Sequence, residues 1–165
     1  MTGSRGRATT GVFGGARFER ARIRNARKGW GVFLGDLALA GLRVLVMEDE
    51  ILIAMDVEQL CREHGAAEVV LVHALEEADT AAGGRFDAAI LDVALAGRST
   101  FGFAEILARE GVPFVFATGH ADAEGLFDAF PGVAVIGKPY GGGALIEALA
   151  QAIAQGDAVT PRSSP

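Results

Sequence analysis

The chain is 165 residues long, half apolar and formally −6 at neutral pH, enough to bury the core of one domain without metal or cross-links. Its single cysteine, Cys61, excludes an internal disulfide and gives no sign of an oxidising compartment, so a cytoplasmic location is expected. Every long apolar stretch is broken by a charge or a glycine before it reaches the roughly eighteen residues of a membrane-spanning helix, and membrane insertion is not expected.

Charge divides the chain. Residues 1–41 carry eight Lys and Arg against Glu19 and Asp36, whereas the remainder carries seven basic and nineteen acidic residues. The first segment is rich in Gly, Arg, Ser and Thr and has little sustained apolar period. That is the composition of a chain that cannot offset its ordering entropy, so residues 1–41 read as a basic, mostly disordered and dispensable extension. A basic tail for nucleic acid or an acidic membrane surface is the alternative, but charge runs are usually just solvated and no nucleic-acid partner is expected. Ala38-Leu39-Ala40 after an apolar stretch suggests a secretory cleavage site, yet Asp36 interrupts that stretch and the polar region before it is too long.

From Leu42 the pattern becomes regular. Leu42 to Met47 is a short apolar run of the kind buried on both faces of a sheet, and it stops at Glu48-Asp49-Glu50. Ile53, Val57, Leu60 and Cys61 then form one helical stripe, with Gly65 placed to end it. Val69–Val72 predicts a second strand, Leu75–Ala82 a short helix, and Ala88–Leu91 a third strand. Phe103–Arg109 predicts a helix, Pro113–Phe116 a fourth strand and Val133–Ile136 a fifth. Ile146, Leu149, Ala150 and Ile153 mark a final helix before a Pro/Ser tail at 157–165. Five strands alternating with about five helices predict a doubly wound α/β fold with a parallel sheet, which binds ligands at the carboxyl ends of its strands.

Those ends carry Glu48 and Asp49 after the first strand, Asp92 at the third, Thr118 at the fourth and Lys138 at the fifth. Clustered carboxylates repel, and a hard divalent cation such as Mg²⁺ relieves the repulsion. Asp49 and Asp92 are placed to ligate it directly and Glu48 through water. A carboxylate oxygen of Asp92 can then attack phosphorus in line, giving an aspartyl phosphate. Thr118 can donate to a phosphoryl oxygen, and Lys138 supplies a compact positive charge suited to phosphate. Before phosphorylation Lys138 pairs with the carboxylates.

The runs Val44-Leu45-Val46-Met47-Glu48-Asp49-Glu50, Ile90 to Gly97, Ala117-Thr118-Gly119 and Gly137-Lys138-Pro139 resemble the motifs of response-regulator receiver domains, over residues 42 to about 156. The resemblance implies a flavodoxin-like sheet in the order 2-1-3-4-5 with five helices, and Asp92 as phosphoacceptor in a Mg²⁺ pocket made by Glu48, Asp49, Asp92 and the backbone carbonyl of Ala94. It also implies a cis Lys138–Pro139 bond. It makes the protein an acceptor with slow autodephosphorylation rather than an enzyme. Its phosphodonor would be a histidine kinase or a phosphotransfer protein. Two departures stand out. Val135 occupies the position, three before the lysine, where receivers carry a switching aromatic. Phe116-Ala117-Thr118-Gly119 resembles the subgroup called FAT GUY receivers, although His120 and Ala121 replace its next two residues; in that subgroup kinases of the HWE or a related type are usual. Too little chain follows Lys138 for an effector domain, so a stand-alone receiver is expected, signalling by protein contact or acting as a phosphate sink.

Rival readings fail on particular residues. A haloacid dehalogenase phosphatase needs a second aspartate where Ala94 stands. A nucleotide- or flavin-binding domain needs a glycine- or hydroxyl-rich loop after the first strand, where three acids stand instead. A receiver fold used as an interaction module without phosphorylation is the remaining alternative. His64, His73 and His120 read as satisfied surface or cap residues, and Phe101, Phe103, Phe127 and Phe130 as core.

Overall fold

The computed structural model describes residues 37–82, 85–119 and 128–155. The chain divides into two units, Met1–Leu34 and Gly35–Pro165, and every described residue belongs to the second. Of the basic extension only residues 37–41 are described, and the tail at 157–165 also lies outside the described residues.

The apolar runs become strands and the stripes become helices. In chain order these are β1 Arg43–Met47, α1 Ile51–Glu63, β2 Glu68–Val72, α2 Leu75–Ala82 and β3 Ala88–Asp92. A hairpin of β4 Ala94–Leu95 and β5 Arg98–Ser99 follows, then α3 Phe101–Glu110, β6 Phe114–Thr118, β7 Val135–Gly137 and α4 Gly142–Gln155. Five strands pair in parallel in the order β2-β1-β3-β6-β7, which is the expected 2-1-3-4-5 once the hairpin is set apart. The described residues contain four helices; the crossover from β6 to β7, where the fifth expected helix belongs, includes residues 120–127, outside the described residues.

β1 has a neighbour on each side and is covered on both faces, which is why it reads as an unbroken apolar run. Its alternating side chains sort the core into two layers. Leu45 and Met47 pack with Ala78 of α2 and with Phe103, Ala104 and Leu107 of α3. Val44 and Val46 pack on the other face with Val57 and Cys61 of α1 and with Leu145 and Leu149 of α4. Gly142 lets the start of α4 approach α1, since a Cβ there would lie 2.9 Å from Leu60 Cδ1. No helix among the described residues is long and apolar enough to cross a membrane.

Three features depart from the periodicity. Leu39 is fully buried in the α1/α4 layer, its N–H donating to the His64 carbonyl at 2.9 Å, so packing reaches upstream of Leu42. One buried leucine has no period to announce it. The last strand is shifted to Val135–Gly137 because Val133 is tied into a turn, its N–H donating to the Phe130 carbonyl at 3.2 Å. The β4–β5 hairpin is too short for alternation to show, and it turns on Ala96 (φ 49°) and Gly97 (φ 77°), the paired left-handed conformations a two-residue hairpin loop requires.

Candidate functional site

The sheet order brings the C-terminal ends of β1, β3, β6 and β7 side by side, and Glu48, Asp49, Asp92, Thr118 and Lys138 stand on that rim, with Ala94 in the hairpin that follows β3. Asp92 ends β3, Thr118 ends β6, and Glu48 and Asp49 directly follow β1. Lys138 directly follows β7, and its backbone N–H donates to the Thr118 carbonyl at 2.6 Å, which carries the β6–β7 ladder one step beyond Gly137. The Lys138–Pro139 peptide is cis, as the resemblance implied.

The side chains converge. Lys138 Nζ lies 2.5 Å from Glu48 Oε2 and 2.6 Å from Asp92 Oδ2, so one ammonium bridges two carboxylates. Glu48 is almost fully buried and Thr118 is buried, whereas Asp49 faces solvent. Asp92 Oδ1 accepts from the Ala94 N–H at 3.2 Å, and Asp49 Oδ2 accepts from the Ala96 N–H at 3.0 Å, which ties the hairpin loop to the acidic pair. His64, half-buried, has Nδ1 2.9 Å from the Leu60 carbonyl of α1 and is satisfied within its own helix end. His120 and Ala121 lie outside the described residues.

Burial pushes the Glu48 carboxyl above its ordinary value, because the hydrogen bond and charge of Lys138 recover only part of the lost hydration. Burial also works against the Lys138 ammonium. There the hydrogen bonds to Asp92 and Glu48, with their charges, outweigh it and hold the lysine above its ordinary value. Lys138 is therefore a cation throughout the physiological range.

One oxygen from each of Glu48, Asp49 and Asp92 lies within 4.8 Å of the other two. An all-oxygen donor set, one member open to water, fits a hard divalent cation such as Mg²⁺ and not a softer metal that prefers imidazole or thiolate. Ala94, exposed at the start of β4, touches that set through its backbone N–H, which donates to Asp92 Oδ1.

Two supporting residues gave no sign in the sequence. Thr100 is fully buried just before α3, and its Oγ1 donates to the Asp92 carbonyl at 2.6 Å, fixing the peptide that follows Asp92. His73, read as a satisfied surface residue, does find partners, and one is the backbone of Glu48.

No family model matches the sequence, and no curated protein does. Solved structures do. A CheY-like response regulator receiver domain protein from Methanospirillum hungatei JF-1 superposes with a TM-score of 0.62 at 23% identity, over 70% of this chain and 96% of the other. The chain has the receiver fold. The chemotaxis response regulator CheY4 of Vibrio cholerae shares that fold with a TM-score of 0.60 at 23% identity, over 68% of this chain and 99% of its own. The response regulator PhyR from Brucella abortus is similar over 83% of this chain but 56% of its own length, at 26% identity and a TM-score of 0.60. In receiver-fold terms, the rim that gathers Glu48, Asp49, Asp92, Thr118 and Lys138 is the face where the parallel strands present their carboxyl ends.

Proposed function

We propose that this chain is a response-regulator receiver: Asp92 accepts a phosphoryl group from a histidine kinase or phosphotransfer protein and reports it through a changed protein-binding surface or by draining phosphate from the kinase. The observation that carries the reading is the setting of Asp92, which ends β3 with Lys138 Nζ 2.6 Å away and two further carboxylates beside it. A carboxylate oxygen of Asp92 attacks phosphorus in line. The new O–P bond forms as the P–N bond of a phosphohistidine, or the P–O bond of acetyl phosphate, breaks; the imidazole leaves with a proton taken from solvent and the acetate leaves as its anion.

Each neighbour has a part. Lys138, freed from Asp92 as that carboxylate is esterified, turns its charge to a phosphoryl oxygen. Thr118 donates its hydroxyl to another, and Thr100 and the Ala94 N–H keep the acceptor carboxylate aimed. Glu48, Asp49 and Asp92, with the Ala94 carbonyl, would hold Mg²⁺, which supplies positive charge to offset that of the incoming group. The protein is an acceptor whose acyl phosphate hydrolyses slowly, not a turnover enzyme, and it acts in the cytoplasm. Phe116-Ala117-Thr118-Gly119 at the end of β6, together with Val135 where an aromatic is usual, supports placement among the FAT GUY receivers and a kinase of the HWE or a related type. The receiver unit is taken as residues 42–156 together with the short segment 37–41 that Leu39 ties to its core, with residues 1–36 as extension.

Intact-mass spectrometry after incubation with acetyl phosphate, with and without Mg²⁺, tests this directly. One phosphoryl group should appear on the natural protein only with Mg²⁺, and on Asp92→Ala not at all. Absence of the adduct with acetyl phosphate and with cognate kinases alike would leave the receiver fold as a phosphorylation-independent interaction module.

A further inference from the structure

We infer that His73 is a positioning residue for the acidic pair, holding the Glu48–Asp49 peptide in the orientation that presents both carboxylates to a divalent cation. The inference rests on the phosphoryl-acceptor reading above. The β1–β2 ladder ends at Met47 opposite Val72, yet Glu48 is pinned one residue beyond it. Its N–H donates to the Val72 carbonyl at 3.0 Å, and its own carbonyl accepts from His73 Nδ1 at 2.8 Å. A carbonyl oxygen can only accept, so the imidazole carries a proton on Nδ1. Both the neutral Nδ1–H tautomer and the imidazolium can donate there, so the role does not depend on the charge of the ring.

The carbonyl of Glu48 belongs to the peptide that joins Glu48 to Asp49. Fixing it sets the ψ rotation at Glu48, and so the direction in which the chain enters Asp49 relative to the Glu48 side chain that turns inward to Lys138. His73 is itself anchored, because its backbone N–H donates to Glu77 Oε2 at 3.0 Å on the first turn of α2. The ring thus transmits the position of β2 and α2 to the acidic loop. Neighbours that orient metal ligands in this way commonly change metal affinity by about ten- to a hundredfold when removed.

The test is calorimetric titration of the full-length, unphosphorylated protein with MgCl₂, comparing the natural chain with His73→Phe, which keeps a ring and loses the donor, and His73→Asn, whose side-chain amide can replace Nδ1–H. Urea midpoints without metal and acetyl phosphate labelling at saturating Mg²⁺ accompany it. His73→Phe should bind Mg²⁺ about tenfold more weakly, with His73→Asn within about twofold of the natural protein and labelling at saturating Mg²⁺ equal in all three. Unchanged affinity in His73→Phe, equal losses in the two variants, or a labelling defect that persists at saturating Mg²⁺ each overturns the assignment. Should His73→Phe fail to fold, His73→Ala is read by the same criteria. A natural protein that binds no Mg²⁺ overturns the acceptor reading and this inference together, whereas binding that the variants leave untouched overturns the role of His73 alone.

Discussion

Lys138 holds two carboxylates while its own side chain is only 11% exposed, so its loss leaves Glu48 and Asp92 facing one another across a sparsely hydrated gap. Breaking such a group from one side costs about 3 kcal/mol. Lys138→Met should therefore lower the urea midpoint in the presence of a chelator, and Mg²⁺ should restore part of the loss by replacing the missing positive charge. Equal stability with and without the lysine would mean that the carboxylates already share a proton. Glu48 makes the complementary case. Its folded-state value lies above the unfolded one, so the native state binds its proton more tightly. That contribution is complete below the ordinary glutamate range and disappears as pH rises through the raised value. Glu48→Gln removes the titration, so in metal-free buffer its urea midpoint relative to the natural protein should improve from about pH 4.5 to pH 7, the ordinary glutamate value being about 4.3. A difference independent of pH would show that Glu48 titrates normally in the fold.

At the scale of elements, the aromatic rings join the site to the core. Phe116 in β6 packs edge-to-face with Phe101, Phe114 and Phe130 at 5.5, 5.5 and 5.6 Å, so one ring braces the start of α3, its own strand and the turn before β7. Phe116→Ala should cost about 4 kcal/mol of stability, read as a drop in urea midpoint, because this fully buried ring leaves a cavity its neighbours cannot fill. Phe103 joins the same layer, as its composition suggested, while Phe127 lies outside the described residues. The same elements show what a sequence can announce. β1 and β3 were legible because both their faces are buried and no polar residue breaks the run until the functional acid arrives. The rim residues were legible for the same reason, since chemistry begins where the apolar run stops. β7 was misplaced by two residues because Val133 and Ala134 are apolar yet serve a turn and its exit. The partners that aim the site, the Thr100 hydroxyl and the His73 ring, act through backbone carbonyls brought close only by tertiary packing, and no spacing along the chain encodes that.

For the molecule as a whole, the boundary between extension and receiver is set by burial. A protein beginning at Leu37 should keep the urea midpoint and the Mg²⁺-dependent labelling of the full chain. One beginning at Leu42 loses the burial of Leu39, about 2 kcal/mol by the usual worth of a leucine side chain, and its midpoint should fall accordingly. Equal midpoints for the two would make Leu39 an ornament on the surface rather than part of the core. The order of the sheet also has a consequence in time. Among the described residues β7 is the outermost strand on its side and the last of the five in chain order, and Lys138 directly follows it. A nascent chain that has emerged as far as Gly119 already contains both Glu48 and Asp92, but not the ammonium that bridges them in the finished protein. Until residues 120–138 have also emerged, the chain lacks that ammonium, and the two carboxylates must find their counter-charge in the surrounding solution.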